Sequence, residues 1–179
     1  IVPSVSAFSL VAARLGWSLA DSEKISLHGR PVTQVIPLIG PKARLIILSN
    51  GSDTPKHVAQ LLLEQGYGNS RIKVFEHMGG DKERCVEGVA ATWNNNKIAR
   101  FNTLAVKCIA HDNATIYPRV PGLPDEAFKS DGKITKREVR AATLSALAPL
   151  PGEHLWDIGA GCGSIGIEWM RTDPRCRAT

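Results

Sequence analysis

A glycine-rich turn near the C-terminal end constrains the fold of this 179-residue chain more than any other feature. An apolar run leads into a carboxylate, three alternating glycines and an amphipathic segment: Asp157, Gly159, Gly161, Gly163 and the residues from Ser164 onward. Glycine lacks a Cβ atom and tolerates positive φ, so such a turn can bend sharply and leave its N–H groups open. The helix start that follows adds unpaired donors and a positive dipole end. The pattern therefore predicts a strand, a ligand-binding turn and a helix, as in nucleoside-binding β-α units.

Two cofactor patterns overlap at this turn. Residues 161–166 form G-x-G-x-x-G, the dinucleotide fingerprint, while residues 157–163 form D-x-G-x-G-x-G, which resembles the first motif of class I S-adenosylmethionine (SAM) methyltransferases. Asp157 favours SAM, because a carboxylate suits the ammonium and sulfonium groups of SAM and repels a pyrophosphate. A glycine turn without any ligand is the plainer alternative. We expect Asp157 to face the amino-acid end of SAM, and Gly159, Gly161 and Gly163 to bring the backbone against it.

Both cofactor patterns predict an acidic residue about 20 positions further on, where it binds the ribose hydroxyls at the end of the second strand. The sequence stops at Thr179, in a stretch that is typical of a loop entering that strand. The start at Ile1 has neither the basic region nor the apolar region of a signal peptide. We therefore expect an internal piece of a longer protein, cut inside a Rossmann-like domain, and expect this piece alone to be inactive.

The composition is that of an ordinary globular protein and excludes several classes of function. Apolar residues make up 43% and charged residues 22%, and no apolar run is long enough for a transmembrane helix. The four cysteines form no C-x-x-C pair or zinc pattern, so we expect no metal and a reducing cytoplasm. The net charge of +5 suits an anionic small substrate. We expect no nucleic-acid partner, because the basic residues are dispersed and aromatic residues are only 6%.

Strand-like and helical segments alternate through the first 112 residues, which predicts an α/β fold with a largely parallel sheet. Proline and glycine then punctuate residues 113–133, as in a linker. After it, Thr135 and Glu138 have capping-box spacing, so we expect Thr135 to cap a helix that runs to about Ala148. The predicted organisation is a first domain over 1–112, a linker over 113–133 and a second domain over 134–179.

Two sets of motifs carry a narrower resemblance. The series TKREVR from Thr135, PG at Pro151 and WDIGAGCGS from Trp156 resembles the N-terminal part of CbiT, a methyltransferase and decarboxylase of the cobalamin pathway. The series VPSVSA, SLHGR and FEHMGGDKER, the last starting at Phe75, resembles the C-terminal half of CbiE, a class III tetrapyrrole methylase. Joined in this order, they resemble the fused CobL-type family of precorrin-6Y C5,15-methyltransferases (decarboxylating) over nearly the whole chain.

This resemblance implies a fold and a function. The fold is the C-terminal subdomain of a class III tetrapyrrole methylase, followed by the start of a Rossmann-like class I SAM methyltransferase domain. The function is SAM-dependent methylation of C5 and C15 of precorrin-6Y, with decarboxylation, in cobalamin biosynthesis. The cofactor is SAM, the partner is an anionic tetrapyrrole, and a cytoplasmic homo-oligomer is expected. A generic class I methyltransferase, or a non-catalytic dimerising or scaffolding fragment, are the alternatives.

The resemblance also implies roles for individual residues, while the catalytic residues stay unidentified. In the second domain, Thr135 and Lys136 would line the SAM cleft. In the first domain the cofactor contacts would be Pro3, Ser4, Ser6, Leu48 and Ser49, although Ser4 replaces a glycine of the family's loop. His28 and Arg30 would contact the substrate. The plainer alternatives are a helix cap for Thr135, core packing for Leu48 and a surface turn for His28 and Arg30.

Overall fold

The computed structural model describes residues 4–95, 97–112, 114, 116–118 and 120–179. The chain divides into two compact units, Ile1–Thr115 and Ile116–Thr179. Each unit has a hydrophobic core of its own. In the described part of the chain, no helix combines the length and the apolar character that a membrane crossing requires.

The first unit combines two helices with strands. Its elements in chain order are α1 (Ala7–Leu15), β1 (Glu23–Ser26), β2 (Arg44–Leu48), α2 (Thr54–Glu64), β3 (Arg71–Glu76), β4 (Arg84–Val89) and β5 (Asn102–Lys107). Short 3-10 helices occupy Val32–Leu38 and Ala90–Thr92. Helix α1 begins where the Ser6 hydroxyl accepts a hydrogen bond from the Ser9 N–H at 3.2 Å. It ends at Gly16, which takes the left-handed conformation of many helix ends.

The strand directions differ from the largely parallel sheet that the alternation predicted. Among the described residues the sheet has the order β1-β2-β5-β3-β4, in which only β1 and β2 pair in parallel and the other pairs are antiparallel. The connection between β3 and β4 is too short for a parallel crossover, which takes a dozen or more residues. Strands β2 and β3 do run in the same direction, as a strand–helix–strand unit should, but β5 inserts between them.

Alternation along β2 explains how both faces of the sheet are covered. Leu45 and Ile47 point into the larger cluster with α2 residues such as Leu62. Ile46 points the other way and packs with Val11 of α1. All five of these side chains are fully buried. Consecutive apolar residues, as from Leu45 to Leu48, are therefore what a sheet with a helix on each face requires.

The second unit is built around the glycine-rich turn. It contains α3 (Arg137–Leu147), β6 (His154–Leu155), α4 (Ser164–Thr172) and β7 (Arg177–Ala178). Strands β6 and β7 pair in parallel with α4 between them in the chain, so the predicted strand, turn and helix are present as a β-α-β unit. Its core joins Leu144 of α3, Trp169 of α4 and Cys176.

One local expectation for this unit was wrong. Helix α3 begins at Arg137 rather than at a capping box, and Lys136 is the N-cap residue without a side-chain cap hydrogen bond. Part of the expected linker over 113–133 is packed: the N–H groups of Gly122 and Leu123 donate to the buried carboxylate of Glu168 at 2.6 and 3.0 Å. Composition could not reveal this packing, because proline and glycine mark irregular backbone whether or not it is anchored.

Candidate functional site

The first unit has a cavity of about 610 Å³ where three strands meet. The carboxyl ends of β2 and β3 reach it together with the beginning of the antiparallel β5. This is the edge at which open α/β sheets bind ligands. Its lining combines apolar side chains with hydroxyl, amide and basic groups: Val5, Ala7, Leu10, His28, Leu48, Ser49, Asn50, Phe75, His77, Met78, Arg100, Phe101, Asn102 and Thr103.

Ser49 and Asn102 join two strand ends beside this cavity. The Ser49 hydroxyl donates to the Asn102 side-chain oxygen at 2.5 Å, and both residues are buried. The Asn102 side-chain nitrogen donates to the carbonyls of Ala99 at 2.8 Å and Gly51 at 3.2 Å. Because these bonds occupy both ends of the carboxamide, Asn102 fixes the loops after β2 and before β5 rather than offering a free polar group.

A buried carboxylate fixes the other side of the loop that precedes β5. Glu76 is 3% exposed and accepts two hydrogen bonds from Arg84, at 2.8 and 2.9 Å, and one from the Ala99 N–H at 2.8 Å. Arg84 also donates to the Lys97 carbonyl at 2.6 Å. The Arg84 hydrogen bonds hold the pKa of Glu76 below its usual value, and their effect exceeds the opposing effect of burial. The loop is thus anchored at both ends.

The cavity brings together some of the residues that the sequence singled out. His28, Leu48 and Ser49 line it, whereas Ser4 and Arg30 are not among its described lining residues. Ser6 caps α1. Pro3 lies outside the described residues. The cofactor and substrate roles of all these residues stay predictions.

The sequence did not indicate Asn102 or Arg100 as site residues. Asn102 meets Ser49 across 53 positions of the chain, and Arg100 sits in a loop without any periodic pattern. His77 belongs to a motif that supported the resemblance, and this was the one available signal for it. Pairing of β5 between β2 and β3 is what brings these side chains together.

In the second unit the glycine-rich turn is open on its outer side. Gly159, Gly161 and Gly163 have φ angles of 79°, 57° and 72°. No heavy atom lies within 4 Å of the place that a Cβ would occupy on any of them. A side chain is therefore disfavoured by backbone conformation and not by crowding, which leaves room for a ligand against the main chain. The Asp157 carboxylate accepts a hydrogen bond from the Gly166 N–H at 3.3 Å, so it is positioned against the first turn of α4.

A second cavity, of about 680 Å³, lies against this turn. Gly161 and Cys162 line it on one side, and the other described lining residues come from the segment before α3: Lys129, Ser130, Asp131 and Lys133. An open glycine turn, a neighbouring carboxylate and adjacent space fit the amino-acid end of SAM. In the described part of the chain, no cluster of His, Cys, Asp or Glu could hold a metal ion.

The predicted residues Thr135 and Lys136 lie beside a different feature. The carbonyl of Thr135 accepts a hydrogen bond from Arg140, and the Lys136 ammonium is 3.4 Å from a carboxylate oxygen of Asp125. Neither residue is among the described residues that line the second cavity. Their assignment to the SAM cleft stays a prediction, and their observed contacts are with the network around Arg140.

That network was not foreseen from the sequence. Arg140 is completely buried, and its guanidinium donates to Glu168 at 2.9 Å and to Asp125 at 2.7 Å. The centroid of the Phe128 ring lies 4.7 Å from the guanidinium carbon of Arg140. Burial by itself lowers the pKa of Arg140, but the hydrogen bonds to Asp125 and Glu168 outweigh it and raise the pKa. The same bond from Arg140 holds the pKa of Asp125 below its usual value. The network ties the segment before α3 to both helices of the unit.

Two family models match the chain. The model for Tetrapyrrole (Corrin/Porphyrin) Methylases matches residues 1–93, which is more than half of the chain. The model for the Precorrin methyltransferase domain matches residues 126–179. The matches follow one another in the order of the two units.

Named relatives cover both units. A precorrin-6Y C(5,15)-methyltransferase (decarboxylating) from Sinorhizobium sp is 47% identical over 99% of this chain and 43% of its own length. A relative of the same name from Mycobacterium tuberculosis is 41% identical over 99% of this chain and 44% of its own length. The crystal structure of the C-terminal domain of precorrin-6Y C5,15-methyltransferase from Rhodobacter capsulatus is 53% identical, with a TM-score of 0.33 over 35% of this chain and 33% of that chain. The chain thus spans less than half the length of these two curated relatives.

Proposed function

The chain belongs to the family of tetrapyrrole (corrin/porphyrin) methylases, and on that premise we propose that the protein takes part in SAM-dependent methylation of C5 and C15 of precorrin-6Y. Loss of carbon dioxide from an acetate side chain accompanies the methylation, in cobalamin biosynthesis. The observation that carries the proposal is the open glycine turn beside Asp157, in a chain that is 47% identical over 99% of its length to a relative of that name.

In this proposal each unit has a SAM site of its own. The second unit is the Rossmann-like class I part: its glycines bring the main chain against the cofactor, and Asp157 faces the cofactor's ammonium group. In the first unit, the class III methylase part, Leu48 and Ser49 lie at the end of β2, where they contact the cofactor. The boundaries predicted from the sequence, 1–112, 113–133 and 134–179, are part of the proposal.

The chain's own residues mainly position the reactants. SAM, when bound, supplies a methyl group on an electrophilic sulfonium. Protein groups that align a nucleophilic carbon for in-line attack can lower the barrier by about 7–11 kcal/mol at the upper limit. Alignment for in-line attack requires a rigid backbone more than a strong acid or base. The anchored loop before β5 and the turn of the β-α-β unit provide such a backbone.

A charge-removal experiment at Asp157 tests the proposal. Asp157→Asn keeps an oxygen that can accept from the Gly166 N–H but removes the negative charge. We expect binding of S-adenosylhomocysteine at the second site to weaken by about tenfold or more, since hydrogen bonds to charged groups contribute about 1.5–3 kcal/mol. Isothermal titration calorimetry on the purified protein measures it.

Glu138→Gln is the matched control, because Glu138 is an exposed carboxylate on α3 outside the turn. It should leave the affinity unchanged. If Asp157→Asn binds S-adenosylhomocysteine as tightly as the unchanged protein, the cofactor role of Asp157 is refuted. If the unchanged protein does not bind it, the proposed function fails.

A further inference from the structure

The cavity of the first unit has a basic and aromatic character on one side. His28, His77 and Arg100 line it, and none of its described lining residues is an Asp or Glu. A cleft lined by charges of one sign concentrates ions of the opposite sign. Of the three basic residues, Arg100 carries its charge at any physiological pH. The cavity is therefore suited to an anionic group.

Arg100 is free to bind such a group. Within the described residues no carboxylate forms an ion pair with it, in contrast to Arg14, Arg84, Arg140 and Arg175. A guanidinium presents a planar set of donors that matches the two oxygens of a carboxylate. Arg100 is exposed at the cavity, so its donors are available to a carboxylate.

The backbone around Arg100 is held more firmly than an ordinary surface loop. The Ala99 N–H donates to buried Glu76 at 2.8 Å. The carbonyls of Ala99 and Arg100 both accept from the side chain of buried Asn102, at 2.8 and 3.4 Å. Because the backbone is already ordered, a ligand that binds Arg100 has less conformational entropy to remove.

An exposed aromatic residue follows this arginine in the chain and lines the same cavity. Phe101 is 71% exposed although it lines the cavity, and its ring centroid is 6.0 Å from that of His77. The backbone N–H of His77 also donates to the Phe101 carbonyl at 3.3 Å, which holds the two backbones together. An exposed apolar ring and an unpaired guanidinium that line one cavity match a flat macrocycle that carries carboxylate side chains.

From these observations we infer that Arg100 binds a carboxylate of the tetrapyrrole substrate at the cavity of the first unit, with Phe101 against the macrocycle. The inference rests on the proposed function and adds to it a residue that selects the substrate. The carboxylate of SAM has the same chemistry, so the experiment has to distinguish the two sources.

Three probes separate the sources. Uroporphyrin is a flat polycarboxylate macrocycle, S-adenosylhomocysteine carries the cofactor's carboxylate, and methylthioadenosine is the same nucleoside without a carboxylate. The affinity of the purified protein for each is measured by calorimetry or fluorescence. We expect Arg100→Gln to weaken uroporphyrin binding on the order of tenfold. Arg100→Lys should recover part of the loss, because it keeps the charge but not the planar donors.

Arg71→Gln is the control, because Arg71 is an exposed arginine of β3 that does not line the cavity. Weakening of uroporphyrin alone supports the inference with the macrocycle as the source. Weakening of S-adenosylhomocysteine but not of methylthioadenosine, with uroporphyrin binding unchanged, assigns the carboxylate at Arg100 to the cofactor and overturns its assignment to the tetrapyrrole.

Two further results overturn the inference. One is unchanged affinity of Arg100→Gln for all three probes, and the other is equal weakening of all three, which indicates general disruption. If the unchanged protein binds neither uroporphyrin nor S-adenosylhomocysteine, the proposed function fails, and this result is distinguishable from a failure at Arg100 alone.

Discussion

Each unit contains a buried glutamate that holds an irregular segment in place, and the two differ in how far water reaches the partner. Glu76 anchors the loop before β5 through the Ala99 N–H, and its partner Arg84 has a side chain that is 52% exposed. Glu168 anchors the N–H groups of Gly122 and Leu123, and its partner Arg140 is fully buried.

The comparison shows that the same arrangement, a buried glutamate paired with an arginine, can anchor either a loop that faces solvent or a segment in the interior. Where the arginine keeps contact with water, its desolvation is partial, and losing the glutamate leaves a cation that water can still hydrate. Where both partners are buried, losing the glutamate removes the buried one of the two carboxylates that compensate Arg140 and leaves only the partly exposed Asp125, which is more destabilising than the loss of a carboxylate from a hydrated arginine. We therefore expect the second unit to depend far more on its glutamate than the first unit does.

The largest expected effect is that of Glu168→Gln. Breaking a buried ion pair by removing one charge costs about 3–5 kcal/mol, and we expect the lower end of this range because Asp125 still pairs with Arg140. Hydrogen exchange at the Gly122 and Leu123 amides should accelerate, and the denaturant midpoint of the second unit should fall. Glu87→Gln is the control, because the side chains of the Lys73–Glu87 pair are 37% and 61% exposed and its loss should cost less than about 1 kcal/mol. If Glu168→Gln lowers the free energy of unfolding as little as the control does, the expected difference between a buried and an exposed arginine partner is contradicted.

A smaller effect is expected from Glu76→Gln. The amide keeps an acceptor for the Ala99 N–H but loses the charge that Arg84 pairs with, so we expect a cost of about 1–3 kcal/mol in the first unit. Exchange at the Ala99 amide reports the loss of anchoring. If the two glutamate variants destabilise their units equally, exposure of the partner arginine does not decide the cost.

The smallest expected effect is a dependence on acid. The pKa of Glu76 in the folded protein is below the ordinary value of 4.5, chiefly because of its hydrogen bonds from Arg84. Its contribution to stability is therefore complete above 4.5, and it is lost as the pH falls below that value and through the folded pKa. Denaturant midpoints of the first unit, measured from neutral to acidic pH, should fall less steeply for Glu76→Gln. Parallel curves for the two proteins would contradict this sign.

Several features were accessible from the sequence because they depend on neighbouring residues. The strand, turn and helix around Gly161 were predicted from local backbone chemistry, and the structure has them. The recognition of the precorrin-6Y methyltransferase family from its motifs is confirmed by relatives that align over 99% of the chain. The capping box at Thr135 was a local expectation that failed, because α3 starts one residue later than the box requires, with Lys136 at the N-cap position.

Features that depend on distant residues were missed. The alternation of strands and helices predicted a parallel sheet, because it could not show that β5 returns between β2 and β3. The anchoring of Gly122 by Glu168 joins residues 46 positions apart. Neither residue carries a local signal for the other.

The sequence by itself determined the family, the glycine turn and the apolar strand of the first core, since each follows from the conformational and burial preferences of adjacent residues. Only the tertiary structure decided which polar side chains meet: Ser49 with Asn102, Glu76 with the loop before Arg100, and Arg140 with Glu168. The reason is that a buried charge or amide needs a partner in space, and the chain can supply that partner from any distance along its length.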